Sequence, residues 1–188
     1  MRMTRRAWRH KSLDLALHAP AEGRESLEIG YVVGDATRPQ GTVARIIVHV
    51  CNDLGRWGKG FVLALSARWA EPEAQYREWT RGQAKIPFAL GQVQFVEVEP
   101  ALWVANMLGQ HGIRKAGAAP PIRYEAVRAG LAIVAQFAQV HNSTIHMPRI
   151  GTGLAGGDWE VISQLIQDAL CARDIPVTVY EGRVNARS

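Results

Sequence analysis

The stretch that decides the fold runs from Arg45 to Phe61 and reads RIIVHVCNDLGRWGKGF. Residues 45–50 form a nearly continuous apolar run, which is typical of a strand buried on both faces. The polar residues 52–60 follow with recurring glycine, and Phe61, Leu65 and Trp69 then lie four apart, which is helical spacing. This segment is therefore predicted to be a strand, a glycine-rich loop and a helix.

A second stretch repeats this arrangement later in the chain. Residues 144–147 (TIHM) read as a strand, and residues 148–157 (PRIGTGLAGG) read as a glycine-rich loop. Asp158 is well placed to cap the helix that follows. Loops that follow strands gather at the carboxyl ends of an open α/β sheet, where ligands bind. We therefore expect the two loops to share one site.

The rest of the chain alternates strands with helices. Further strands are predicted at 27–33, 93–98, 101–107 and 177–180, and further helices at 72–81 and 124–140. This alternation favours an α/β fold, a three-layer α/β/α sandwich with a mixed central sheet, in a single domain. We place the domain at 27–182, after a basic, flexible leader at 1–26 and before a tail at 183–188.

Composition narrows the class of protein. The 188 residues are 47% hydrophobic, which is too apolar for a disordered chain, and no apolar run approaches the roughly 18 to 20 residues of a membrane span. Two cysteines are too few for a disulfide scaffold. We therefore predict a cytoplasmic protein without a membrane partner, and we expect neither a cofactor nor a metal.

The net charge of +5 lies in the first eleven residues, which hold five basic side chains and no acid. Subtracting these five from the 22 lysines and arginines leaves 17, which balance the 17 acids. Nucleic-acid binding is therefore predicted to be at most a weak contact through this basic arm.

Both loops have the chemistry of an anion site. Glycine lets the backbone turn tightly, so that successive N–H groups can converge on an anion, and two such loops suit a diphosphate. The alternative is that the glycines only close tight turns. Residues 151–156 also match the GxGxxG spacing of a dinucleotide-binding unit, but the chain lacks the further βα units that this fold needs.

Polar residues at strand ends are candidates for ligand contacts. Asp35 follows the first strand and can accept a hydrogen bond from an adenine amine, or it can act as a turn residue. Asn52 and Asp53 begin the first loop, where ligand hydroxyls would lie. His49 and His146 are predicted to be core histidines. His111 is the histidine of interest, because it lies in a glycine-bearing loop.

Three segments resemble the macrodomains, the ADP-ribose-binding α/β/α modules. They are residues 33–36 (VGDA), 50–61 (VCNDLGRWGKGF) and 147–154 (MPRIGTGL), within a resemblance that covers about 27–181. The chain is most similar to the branch that contains phosphatases of ADP-ribose 1''-phosphate and the terminal ADP-ribose protein glycohydrolase. In place of that glycohydrolase's lysine and aspartate, this chain has Gly109-Gln110 and Ala155.

The resemblance implies a set of ligand contacts. Asp35 would accept from the adenine amine, with the Ala36 N–H nearby, and the glycine loops would hold the ribose and the phosphates. The implied ligand-binding residues are Asp35, Ala36, Asn52, Arg56, Gly58, Gly60, Ile150, Gly151, Thr152, Gly153, Leu154 and Ala155. Asn52 and Asp53 are the candidate catalytic residues, positioning the scissile group or a water molecule.

The predicted function is binding of ADP-ribose with hydrolysis of a substituent on its distal ribose, and the favoured substituent is the 1''-phosphate. A non-catalytic reader of ADP-ribose or ADP-ribosylated protein is the first alternative. Hydrolysis of ADP-ribosylated protein, with water activated at Asn52, is the second.

Overall fold

The structure is a computed structural model that describes residues 27–182. The predicted leader at 1–26, with its basic arm, and the predicted tail at 183–188 lie outside the described residues.

One six-stranded sheet forms the centre of the molecule. Its strands are β1 (Gly30–Val33), β2 (Arg45–Asn52), β3 (Val93–Glu99), β4 (Leu102–Gln110), β5 (Thr144–Pro148) and β6 (Val177–Glu181). They lie in the order β1-β6-β5-β2-β4-β3. All neighbours are parallel except β3 and β4, which pair antiparallel. The sheet is therefore mixed, as predicted.

Helices cover both faces of the sheet. They are α1 (Phe61–Ser66), α2 (Glu71–Thr80), α3 (Tyr124–His141) and α4 (Trp159–Ala169). The apolar side chains of α3 and α4 pack with one core cluster, and those of α1 and α2 pack with the other. This confirms the three-layer α/β/α sandwich.

Strand β2 shows why its sequence is apolar almost throughout. Ile46 and Val48 belong to the core on the α3 and α4 side, whereas Ile47 and Cys51 belong to the core on the α1 and α2 side. Alternate side chains of a strand point to opposite faces, so a strand covered on both sides needs apolar residues at successive positions. His49 and His146 are buried in strands, as predicted.

Several predicted boundaries are wrong. Helix α1 ends at Ser66, and Trp69 lies in the following turn, where it is buried and its indole donates to Glu99 Oε1 at 3.1 Å. The spacing of Phe61, Leu65 and Trp69 therefore reflects packing of all three side chains against the second core, and the helix does not extend to Trp69. Strand β4 runs beyond 107 to Gln110 because its pairing with β2 continues to the Asn52–Gln110 pair.

Strand β1 is shorter than predicted and begins at Gly30. Asp158 caps α4 as predicted, with its side chain accepting from Glu160 N at 2.8 Å. No helix within residues 27–182 combines the length and the apolar character that crossing a membrane requires.

Candidate functional site

The two glycine-rich loops lie side by side at the carboxyl ends of β2 and β5 and line one cleft of about 910 Å³. Leu154 from the second loop approaches Gly60 of the first, since a Cβ built on Gly60 would lie 3.6 Å from Leu154 Cδ1. The loops therefore form the two walls of a single groove.

Asn52 holds the first loop in shape. Its Oδ1 accepts from the N–H groups of Leu54 and Arg56, both at 3.0 Å, and its Nδ2 donates to Arg56 O at 2.7 Å. The buried Tyr76 of α2 donates its hydroxyl to Asn52 O. Because Oδ1 accepts from two backbone N–H groups and Nδ2 donates one hydrogen bond to the backbone, Asn52 contributes to the site chiefly by fixing the path of the loop.

The second loop turns at Gly151, which has φ +73°. A Cβ at this position would lie 2.9 Å from the Cδ1 atoms of Ile122 and Ile162, so only glycine fits without movement of the core. Gly157 N donates to Gly151 O at 2.8 Å, and Thr152 Oγ1 donates to Arg149 O at 2.9 Å. The loop is thus closed by its own hydrogen bonds.

Several backbone N–H groups of the two loops remain available to a ligand. Those of Gly58, Lys59 and Gly60, and those of residues 151–155, donate to no acceptor within the part of the chain that the structure describes. All but Thr152 of these residues line the cleft. Free amides on two facing walls are the arrangement that binds phosphate oxygens.

The charge of the cleft is one-sided. Five cationic side chains and no carboxylate are found among the described residues that line it: Arg56, Lys59, Arg77, Arg114 and Arg149. Arg77 pairs with Glu73, and Arg149 pairs with Glu181, outside the lining. Arg56, Lys59 and Arg114 have no carboxylate partner within residues 27–182. The cleft therefore favours a polyanion.

The floor of the cleft is uncharged. His49 is 2% exposed and its Nε2 lies 2.6 Å from Asn106 Oδ1. Burial lowers the pKa of His49 to about 4, although the hydrogen bond to Asn106 acts in the opposite direction. Burial likewise raises the pKa of the Cys51 thiol. Both groups are neutral at pH 7, so neither the imidazolium nor the thiolate is available here for chemistry.

Asp53 turns away from the cleft and contacts the loop after β4. Its Oδ2 lies 2.6 Å from His111 Nδ1, and its Oδ1 accepts from Gly112 N at 2.7 Å. Partial burial acts to raise the pKa of the Asp53 carboxyl, but the hydrogen bonds from Gly112 and His111 and the imidazole charge together lower it. Asp53 is therefore ionised and held in place at neutral pH.

Asp35 and Ala36 do not line this cleft. Asp35 Oδ1 accepts from Thr37 N at 2.9 Å and from Thr37 Oγ1 at 2.8 Å, which is the turn role considered for it from the sequence. Ala36 is buried. Gly34 N donates to Glu181 O, which places Asp35 beside a shallow depression. The depression is lined by Val33, Pro148, Arg149, Tyr180, Glu181 and Gly182.

The cleft thus brings together most, but not all, of the residues expected from the sequence. It contains Asn52, Arg56, Gly58, Gly60, Ile150, Gly151, Gly153, Leu154 and Ala155. Asp35, Ala36, Asp53 and Thr152 lie outside its lining. Pro148 and Arg149 line both the cleft and the depression, so the two concavities adjoin.

Sequence reasoning missed four of the five cations of the lining. Lys59 stood among the glycines of the first loop and could have been recognised there. Arg77 lies on α2 and Arg114 in the loop after β4, so local spacing does not connect them with the glycine loops.

Within residues 27–182, no three His, Cys, Asp or Glu side chains come together as metal ligands.

Comparison with known proteins identifies the family. A solved structure, that of a macrodomain protein from Streptomyces coelicolor, is 54% identical, with a TM-score of 0.73 over 82% of this chain and 99% of that one. The chain belongs to the macrodomain family. No protein-family model matches the chain.

Two curated proteins are similar to this macrodomain over different shares of its length. Mouse chromodomain-helicase-DNA-binding protein 1-like is 32% identical over 168 residues, which is 85% of this chain and 18% of that protein. The macrodomain thus spans less than a fifth of the length of this protein and of its namesake from Danio rerio. An ADP-ribose 1''-phosphate phosphatase of Saccharomyces cerevisiae is 40% identical over 50 residues, 27% of this chain and 28% of that protein.

Proposed function

We propose that this macrodomain binds ADP-ribose across the cleft and the adjoining depression, and that it hydrolyses ADP-ribose 1''-phosphate to ADP-ribose and inorganic phosphate. The observation that carries the proposal is the cleft between the glycine loops, in which the described lining presents free backbone amides and five cations but no carboxylate.

The diphosphate is assigned to the amides of the two loops. Those of Gly58 to Gly60 face those of Gly151 to Ala155 across the groove, and backbone amides in such turns make concave sites for anions. The three cations without carboxylate partners then remain to neutralise a further anionic group. A phosphate monoester, which carries a charge of about −1.5 to −2 at pH 7, supplies that group.

The adenosine end is assigned to the shallow depression beside β1 and β6. Asp35 is half-exposed there, and among residues 27–182 its Oδ2 pairs only with Arg38 Nε, at 3.7 Å. This oxygen is free to accept from the exocyclic amine of adenine while Oδ1 keeps the turn with Thr37. Because Arg149 lines both concavities, one extended ligand can occupy them together.

The position of the reaction follows from this orientation. With adenosine at the depression and the diphosphate between the loops, the distal ribose extends toward Asn52, Arg56 and Arg114. The similarity to the yeast phosphatase supports a 1''-phosphate as the group removed. Asn52 then shapes the loop around the ribose rather than acting on water itself.

Two measurements test the proposal on the whole chain. Calorimetry should show binding of ADP-ribose, and purified protein should release inorganic phosphate from ADP-ribose 1''-phosphate well above the rate in buffer. Binding without release would remove the hydrolase part, and absence of binding would remove both parts.

Gly153 offers a matched pair of variants for the binding step. A Cβ at Gly153 meets no heavy atom of residues 27–182 within 4 Å, so the described part of the chain accommodates a side chain there without strain. Gly153→Asp places a carboxylate in the cleft and should weaken ADP-ribose binding by tenfold or more, on the order of 1.4 kcal/mol. Gly153→Asn has the same shape without the charge. Equal affinity of the two variants would contradict an anion site at this loop.

The second candidate function is a reader that binds ADP-ribose without catalysis. It is favoured by the absence of a carboxylate from the described lining and by the neutral state of His49 and Cys51. Binding without turnover on phosphate or protein-linked substrates would select it. Hydrolysis of ADP-ribosylated protein at Asn52 is disfavoured by the engaged amide, and activity that survives Asn52→Ala would exclude it.

A further inference from the structure

Asp53 and His111 form a pair at the rim of the site that the binding proposal leaves without a role. The two side chains are 58 residues apart in sequence and 2.6 Å apart in space. They meet because β2 and β4 are parallel neighbours, with Asn52 paired to Gln110 at the carboxyl ends of both strands.

The backbone of this pair is fixed on both sides. Asp53 N donates to Gln110 O at 3.0 Å, and His111 N donates to Pro121 O at 2.9 Å. Gly112 N donates to the same carboxylate that His111 contacts. The position of the imidazole is therefore fixed by its ring nitrogen and by backbone hydrogen bonds on both sides of the pair. Exposed surface ion pairs are usually held in place by fewer contacts than this.

The hydrogen bonds define which ring nitrogen is free. A carboxylate with a lowered pKa can only accept, so the Nδ1 that faces Asp53 carries a proton. The opposite nitrogen, Nε2, has no hydrogen-bond partner within residues 27–182. The side chain of His111 is 61% exposed, whereas that of Asp53 is 19% exposed. An oriented imidazole thus presents its second nitrogen outward.

The position of His111 relative to the cleft follows from its neighbours. Gln110 on one side and Ile113 and Arg114 on the other all line the cleft. His111 accordingly stands at the rim, at the end where the distal ribose is placed.

We propose that His111 is a general acid for hydrolysis of the 1''-phosphate and that Asp53 is its positioning residue; this inference rests on the proposed function. Water oxygen forms a bond to phosphorus while the bond between phosphorus and the ribose oxygen O1'' breaks. His111 enters this step as imidazolium, with a proton on each ring nitrogen, and its Nε2 proton passes to O1''. The proton lost by the attacking water returns through solvent to Nε2, so that the products are ADP-ribose and inorganic phosphate.

Acid catalysis is what this reaction needs most. Phosphoryl transfer proceeds through a loose transition state in which negative charge develops on the leaving oxygen. Attack by water then needs little help from a base, whereas a proton supplied to O1'' neutralises that charge. The ionised Asp53 stabilises the imidazolium that donates it, and cationic Arg114 lies two residues from Gly112 to hold the phosphate.

The choice of substitution distinguishes a role of His111 in proton transfer from a purely structural role. In His111→Asn the amide can still donate to Asp53, but no group replaces Nε2. We expect kcat for phosphate release to fall by about a hundredfold or more, with KM and ADP-ribose affinity changed by less than about twofold. Asp53→Asn should lower kcat by about tenfold, again without a matching change in KM.

A matched control is His141→Asn at the C-terminal end of α3, whose ring lies against Trp103 near the start of β4, away from the carboxyl ends of the strands, and its kcat should equal that of the wild type. Added imidazole should restore part of the activity of His111→Ala. An unchanged kcat in His111→Asn, or a KM that rises as much as kcat falls, would overturn the role of His111 while leaving the proposed function intact. A wild-type protein that binds ADP-ribose but releases no phosphate would instead remove the reaction, and the inference with it.

Discussion

Acid should destabilise this macrodomain at a higher pH than carboxylate titration alone would produce, because two histidines are buried in neutral form. His49 and His146 are 2% and 3% exposed. Burial lowers the pKa of each to about 4, and the charge of Arg45 contributes at His146. Hydrogen bonds to Asn106 for His49, and to Thr144 and Tyr180 for His146, are compatible with neutral rings.

The direction and size of the effect follow from linkage. The unfolded chain binds a proton at each histidine near the ordinary pKa of 6.5, whereas the native protein binds it only near 4. Stability is therefore lost as the pH falls from 6.5 toward 4. Between pH 7 and pH 5 each histidine removes about 2 kcal/mol, and the pair removes about 4 kcal/mol from the free energy of unfolding.

The assay is urea unfolding at a series of pH values between 7 and 5. Below pH 6.5 the free energy of unfolding should fall with a slope that steepens toward about 2.7 kcal/mol per pH unit near pH 5, the limit for two protons. Replacing His49 or His146 with glutamine should halve that slope. A stability that is constant from pH 7 to pH 5 would refute the reasoning.

Three further predictions concern the walls of the cleft. Tyr76→Phe should lower the free energy of unfolding by about 1 to 3 kcal/mol in urea titration, because the carbonyl of Asn52 loses its buried donor. Gly55→Ala should cost about 1 to 2 kcal/mol by the same measurement, since Gly55 has φ +71° and a Cβ there would meet Thr80 at 3.0 Å, whereas Gly58→Ala should be nearly neutral. Cys51, which is 4% exposed with a raised thiol pKa, should react with iodoacetamide only as the protein unfolds, followed by mass spectrometry.

Each of these has an outcome that would contradict it. Full stability of Tyr76→Phe would mean that the carbonyl finds another donor. Equal stability of Gly55→Ala and Gly58→Ala would contradict the claim that the positive φ of Gly55 and the contact with Thr80 make a side chain costly there. Rapid alkylation of Cys51 in the native protein, at the rate of a free thiol, would show that the floor of the cleft is open.

Much of the fold could be predicted from local sequence pattern. The apolar run of β2 and the glycines after it gave the strand and loop correctly, because burial on both faces and tight turning are requirements of single segments. The end of α1 was wrong because Trp69 satisfies the second core from a turn, and helical spacing alone does not distinguish the two cases.

The parts of the site that escaped prediction depend on long-range register. The contact between Asp53 and His111 exists because Asn52 pairs with Gln110. The local sequence of the two loops does not indicate that β2 and β4 are neighbours in the sheet. Arg114 likewise reaches the second glycine loop through the fold: a Cβ at Gly156 would lie 2.2 Å from Arg114 Nη1. Such partners follow from topology and not from spacing.

The one-sided charge of the cleft bears on how fast a ligand arrives as well as how tightly it is held. Long-range attraction raises association rates for anions, and mobile ions weaken it beyond a Debye length of about 8 Å at physiological ionic strength. Five guanidinium and ammonium groups around one groove therefore make capture steeply dependent on salt. Phosphate and sulfate ions will compete with the ligand for the same groove. A buffer without such anions, for example one based on an amine, is therefore the appropriate medium for studying this macrodomain.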